Sequence, residues 1–209
     1  PERADLVPFY ADARYTSTDF FPMFSAPFLY GAGWGAAEDE AGDRVVVISK
    51  ALNDRVFGGG DSVGKTLVLA DNQFRIAGVL DTWRPTPRFY DMNTGRYGEL
   101  EDVFLPFSTS RTLDLGRNGS MNCWGNSEGD STGLNAPCAW IQYWVELDSA
   151  AQASDYKAYL DNYSAQQKAA GRYEREPNVR LRNVMDWLDF NRVVPRDVVM
   201  QLWLGFGFR

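Results

Sequence analysis

Apolar residues in this chain come in short runs divided by turn-forming pairs, and most runs carry a local signal for one kind of element. Thr18 is placed to cap a short helix through Phe20, Phe21, Met23 and Phe24, with Pro22 early enough to be tolerated and Pro27 set to end or bend it. An acidic turn, Glu38-Asp39-Glu40, follows. Val45 to Ile48 is an unbroken apolar run, which predicts a strand buried on both faces. Ser49 then reads as the N-cap of an amphipathic helix with Leu52 and Val56 one turn apart, stopped by Gly58, Gly59 and Gly60. Thr66–Leu69 and Phe74–Leu80 flank the turn-forming pair Asp71-Asn72, the pattern of a hairpin.

The second half is patterned more loosely. Residues 84–100 are turn-rich, with Pro85, Pro87, Gly95 and Gly98, before Val103–Leu105 offers a short strand. From Ala139 to Leu147 the chain alternates, with Ala139, Ile141, Tyr143, Val145 and Leu147 on one side and Trp140, Gln142, Trp144 and Glu146 on the other, which predicts a strand. Ser149 or Ser154 opens the longest helix, where Tyr156, Leu160 and Tyr163 fall at helical spacing and Gly171 is the stop. Val179–Val184 alternates again. This order predicts an α+β chain of two lobes: residues 1–65 with 149–200 forming an α/β lobe, and 66–148 an inserted β-rich lobe.

Composition narrows the chemistry. With no histidine, a Ser-His-Asp triad, a Cys-His pair and a histidine zinc site are all excluded. Twenty-one basic against 28 acidic residues leave a net charge of −7, which argues against a surface built to neutralise a phosphate backbone, so no nucleic-acid partner is expected. Cys123 and Cys138 bracket a polar, glycine- and asparagine-rich loop. They read either as a disulfide closing that loop, which requires an oxidising compartment, or as two separate thiols. The start at Pro1-Glu2-Arg3 has no initiator Met and no apolar leader, and residues 198–208 are apolar, so the chain is expected to be a piece of a longer one. Those last residues fit the first turns of a truncated transmembrane helix beginning near 201, or an amphipathic helix packed on the domain.

Three motifs suggest chemistry. Gly59-Gly-Asp-Ser-Val-Gly64-Lys65-Thr66 satisfies the P-loop spacing letter by letter. A phosphate cradle, however, needs a strand entering and a helix leaving, and here a helix enters and a strand leaves, so Gly59, Gly64, Lys65 and Thr66 read as a false P-loop with no nucleotide cofactor. Acidic positions at Glu38–Glu40 and at Asp91, Glu99, Glu101 and Asp102 read as solvated charge; Asp91 to Gly95 begins a calcium-loop pattern without completing it, and no metal is expected. Trp140 and Trp144, on one side of the predicted strand, are candidates for a partner surface, or for an aromatic platform if the chain is a secreted ligand-binding module. The arginines from Arg172 to Arg196 interleave with acids and read as a salt-bridged surface, or as one facing lipid headgroups.

The run Val45–Ile48, Ser49, a helix ending in Phe57-Gly58, then Val63-Gly64-Lys65 and Phe74-Arg-Ile-Ala-Gly78-Val79 resembles the periplasmic core domain of MacB-like ABC transporter permeases. The stretch from Thr18 to Tyr30, ending in Gly31, looks like the helix preceding this block in that family. The resemblance implies a porter-like α/β lobe with a sabre-like insertion, sited between two membrane spans and facing the periplasm of a bacterial inner-membrane transporter. It also implies no catalysis in this domain. The work of such proteins is coupling of cytoplasmic ATP hydrolysis to periplasmic movement. Expected partners are a cytoplasmic ATP-binding subunit or domain, a second permease copy, and a periplasmic adaptor or lipoprotein acceptor. Thr82 to Cys138 has no counterpart in the pattern, the helix-to-hairpin turn is lengthened by Gly59 and Gly60, and Ala32 stands where the family often has Arg.

Overall fold

The computed structural model describes residues 7–119, 121–125, 131–133, 136–194, 198 and 200–201. The chain is α+β and divides into two compact units, Pro1–Pro85 with Gly98–Arg117, and Thr86–Tyr97 with Asn118–Arg209.

The first unit is built on one mixed sheet. Strand β1 (Ala13–Thr16) leads to the short helix α1 (Phe20–Met23), then β2 (Phe28–Gly31), α2 (Ala36–Ala41) and β3 (Val45–Ile48). Helix α3 (Lys50–Phe57), the hairpin β4 (Thr66–Leu69) and β5 (Asn72–Leu80), and β6 (Val103–Pro106) with α5 (Phe107–Thr112) complete it. The strand order is β1-β6-β3-β5-β2, with β4 also paired to β5. Nine-residue β5 is the organising strand: it runs parallel to β3 along one edge and antiparallel to β4 and β2 in succession along the other. Ala77 interrupts the β3 register, because Val46 pairs with Ile76 while Val47 pairs with Gly78.

Local chemistry accounts for the ordered part of this unit. All four residues of β3 are buried, as an uninterrupted apolar run requires when both sheet faces are covered. Ser49 caps α3 by accepting from the Leu52 N–H at 3.0 Å, and Gly58 ends it in the left-handed region at φ 78°. On one sheet face Val46, Ile48, Leu52, Phe74, Ile76 and Leu105 form a hydrophobic core. Phe20, Phe21, Trp34 and Phe104 form a second cluster of rings, Phe104 lying tilted at 5.4 Å from Phe20 and edge-on at 5.8 Å from Phe21. Arg14 closes the edge, donating through Nε and Nη2 to one oxygen of the buried Glu101 carboxylate at 2.8 and 2.6 Å. Burial pushes the Tyr15 phenol above its ordinary value of 10.0, against an opposing pull from Arg117, and its hydroxyl donates to Gly116 O at 2.6 Å.

Three sequence expectations fail in this unit. The helix foreseen from Thr18 to Tyr30 stops at Met23, and Phe28–Gly31 is a strand instead, since that apolar run satisfies its backbone on the free edge of β5. Thr18 caps nothing. Asp19 stands at the cap position without a side-chain bond, while the Thr18 hydroxyl donates to Trp34 O. The hairpin foreseen as the start of an inserted lobe at residue 66 adds two strands to the main sheet, because Leu67, Phe74 and Ile76 share the β3 core.

In the second unit, α4 (Met92–Gly95), the two-residue strands β7 (Asn122–Cys123) and β8 (Cys138–Ala139), α6 (Ala150–Ala169) and α7 (Val184–Phe190) are joined by irregular chain. Residues 149–169, assigned from sequence to the α/β lobe, lie in this unit. Ser149 is the cap of α6, accepting from Gln152 N at 3.2 Å. The alternating stretch 140–147 and the stretch 179–183 form no strand. Alternation specifies two faces but not the neighbouring strand that a ladder needs, and no described strand pairs with either segment. The expected start of a membrane helix at 201–209 lies outside the described residues save Gln201, and among those described no helix is long and apolar enough to cross a membrane.

Candidate functional site

The P-loop-like segment sits where the sequence order placed it, in the connection from α3 to β4, and the N–H groups of Gly59, Val63, Gly64 and Lys65 are engaged within the protein. Gly59 N donates to Asn53 O, Gly64 N to Ile76 O at 2.8 Å, Lys65 N to Ser62 O at 3.0 Å and Val63 N to the Asp61 carboxylate at 2.9 Å. The Lys65 ammonium lies 5.5 Å from the Phe57 ring centre, and Thr66 begins β4. A polar lock holds the connection from beneath. Asn53, fully buried, donates from Nδ2 to Gly60 O at 3.0 Å and accepts from the buried Ser62 hydroxyl at 2.6 Å. This geometry ties the end of α3 to the start of the hairpin through internal hydrogen bonds. Sequence reasoning identified the glycines but not Asn53, whose role depends on a carbonyl seven residues later.

The carboxylates read as solvated charge are distributed among separate partners. Glu101 is held by Arg14, Glu99 by Arg84 at 2.7 Å, and Glu38 by Arg75, while Asp91 accepts from Thr94 N at 3.1 Å and Gln142 Nε2 at 3.2 Å. Among the described residues no cluster of three metal-ligating side chains forms.

The tryptophan pair does not share a strand face. Trp144 turns inward within the second unit: its indole N–H donates to Tyr90 O at 3.4 Å and its ring meets Phe89 edge-on at 6.2 Å. Trp187, which sequence reading did not single out, donates to Phe89 O at 2.9 Å, so Phe89, buried Tyr90, Trp144 and Trp187 form one aromatic knot. Trp140 is half-buried. On the side foreseen as core, Ile141 and Tyr143 are exposed, at 60% and 77%, while Val145 and Leu147 are half-buried. Along α6, Tyr156, Tyr159 and Tyr163 set their rings nearly parallel at spacings of 6.1 and 6.3 Å, and a hydrogen bond with Tyr143 raises the Tyr156 phenol above its ordinary value.

Cys123 and Cys138 are joined as a disulfide across the β7/β8 pair, and no described cysteine is free. Replacing both by serine is expected to cost the second unit about 2 kcal/mol, below the full chain-entropy value because β7 and β8 still pair. Amide exchange should rise around residues 121–139 and stay unchanged in β3 and β5; equal loosening of both units would contradict a local role for the bridge.

A family model described as the MacB-like periplasmic core domain matches residues 4–163. Among solved structures, the periplasmic region of MacB from Actinobacillus actinomycetemcomitans is similar at 13% identity and a TM-score of 0.44, over 73% of this chain and 56% of that one. The extracellular domain of the noncanonic ABC-type transporter YknZ from Gram-positive bacteria is similar at 13% identity and a TM-score of 0.46, over 80% of this chain and 71% of that one. The chain thus spans little more than half of the MacB region it overlays. No curated protein sequence matches it.

Proposed function

Because this chain belongs to the MacB-like periplasmic core domain family, we propose that it is the non-catalytic extracytoplasmic domain of a bacterial inner-membrane ABC transporter permease. In this reading it transmits movement driven by ATP hydrolysis in a cytoplasmic subunit or domain to the periplasmic side, for export, efflux or lipoprotein release. It works beside a second permease copy and against an adaptor or lipoprotein acceptor. The single observation that carries the reading is the family match over residues 4–163, three quarters of the chain. The joint at residues 58–65 supports it physically. Locked by Asn53 and by the bond from Gly64 to β5, it fixes α3 to the hairpin, so a displacement of one is passed to the other without a soft hinge. The disulfide agrees with an oxidising compartment.

The test uses the full-length protein in its own cells. Both cysteines of this chain are in the disulfide, so an added Asp71→Cys, at the exposed β4/β5 turn, provides one reactive thiol in the domain. A membrane-impermeant maleimide should label it in cells with a permeabilised outer envelope, and an ATP-binding subunit should copurify unless the ATPase domain is part of the same chain. Protection of the added thiol until the inner membrane is lysed, or release of the labelled protein into the medium as a secreted module, would overturn the proposal.

A further inference from the structure

Helix α6 buries none of its 20 residues in its own chain, although a helix draws most of its stability from packing one face. The side carrying Ser164 and Lys168 is held, because the Tyr173 hydroxyl donates to Ser164 O at 2.5 Å and Lys168 pairs with Glu176. A different side faces solvent. There Tyr159 and Tyr163 are 59% and 46% exposed, in one row with half-buried Tyr156, and exposed Tyr143, bonded to Tyr156, widens the row. Gln152, Tyr156, Tyr159, Tyr163, Gln166 and Ala170 follow one another at intervals of four, three, four, three and four residues, the spacing of a seam that meets another helix. The Gln152 amide is tied back to Asp148, which leaves its stem to the seam.

That seam reads the same in both directions. With two copies laid antiparallel about residue 161, Tyr159 meets Tyr163 of the second copy, Tyr156 meets Gln166 and Gln152 meets Ala170, so every position finds a counterpart. On the flanks Asn162 and Leu160 each face their own equivalents and Asp155 faces Ala169, so no two like charges oppose. The antiparallel order also sets each helix end beside the opposite end of its neighbour, which the helix dipoles favour.

We propose that this face of α6 pairs with the same face of a second copy of the chain, antiparallel and in the register centred on residue 161. The seam is about 27 Å long at 1.5 Å per residue, a smaller contact than a self-sufficient dimer needs, so the pair forms where two copies are already held close. The proposal rests on the transporter reading for that second copy and goes beyond it in naming the surface and register through which the copies meet.

The experiment introduces Asn162→Cys into the full-length protein and oxidises native membranes mildly, with the parent protein as background. Asn162 lies beside the two-fold axis, so a band of twice the monomer mass should form on a non-reducing gel. Adding Tyr159→Glu, an exposed change at the centre of the seam, should weaken that band about tenfold, the loss expected from one central aromatic contact. Ala165→Cys, also exposed but on another side of α6, should give no such band. No band from Asn162→Cys, an equal band from Ala165→Cys, a band indifferent to Tyr159→Glu, or linkage of Asn162→Cys to a different protein would each overturn the proposal. The Asp71→Cys label reads the transporter proposal separately, so the two failures are told apart.

Discussion

Gly78→Val is expected to leave the first unit unfolded, and Gly78→Ala to destabilise it by about 3 kcal/mol, at the upper end of what overpacking costs. A Cβ on Gly78 would lie 2.4 Å from the main-chain oxygen of Ala32 and 2.8 to 2.9 Å from the Phe28 ring. The ring can swing; the carbonyl belongs to backbone that follows β2 and cannot move without breaking the β2/β5 pairing. Gly31 meets the same contact from the other side, at φ 65° with a Cβ position 2.3 Å from Ala77 O. The two glycines therefore form one backbone-on-backbone approach at the bulge. Gly60→Ala is the control, since no atom lies within 4 Å of its Cβ position, and it should fall within about 0.5 kcal/mol of the parent. Urea denaturation followed by circular dichroism measures all three. A Gly78→Ala midpoint equal to that of Gly60→Ala would show that β2 can slide away from β5 at little cost.

Phe104→Ala is expected to lose about 4 kcal/mol, within the range for removing a fully buried aromatic ring. Phe104 sits at the centre of β6, pairing with Arg14 of β1 and Val47 of β3, and its ring abuts Phe20 and Phe21. Truncation opens a cavity under α1 and loosens the edge contact holding Phe21 against Trp34. Trp34 is 2% exposed, so its indole N–H should exchange slowly in the parent and far faster in the variant. A loss below about 1.5 kcal/mol would mean that the surrounding rings collapse into the space.

These two positions also show what was legible beforehand. Gly78 and Gly31 stood out as parts of a motif, and the close approach supplies their physical reason. β3, α3 and the β4/β5 hairpin were readable because each carries its own stop and start: the Ser49 cap, the Gly58 stop and the Asp71-Asn72 turn act within a few residues of the element they bound. Phe28–Gly31 was misread because an apolar run of four fits helix or strand equally well, and only the open edge of β5 decides between them. The stretch 140–147 failed for the converse reason: its alternation was clear, yet Trp144 reaches Phe89 and Tyr90, some fifty residues earlier, and that contact replaces the expected core face. Of the candidate site residues, the disulfide was foreseen as one of two readings, while the Asn53 lock and the Phe89, Trp144 and Trp187 knot depend on tertiary neighbours that no local pattern announces.

The strand order bears on how such a chain would be delivered. Among the described residues β1 pairs only with β6, so Ala13–Thr16 emerges long before Val103–Pro106 exists to receive it, and β3 likewise waits for β5 and β6 on its two edges. A polypeptide threaded N-terminus first through a translocation channel would present bare strand edges on the far side of the membrane for the whole passage of the hairpin and the stretch after it. Long-range pairing of this kind folds slowly and exposes sticky edges meanwhile. Efficient secretion of this unit would then call for a holding chaperone that covers apolar strands until β6 arrives, and circular permutants that bring β1 beside β6 should need it less.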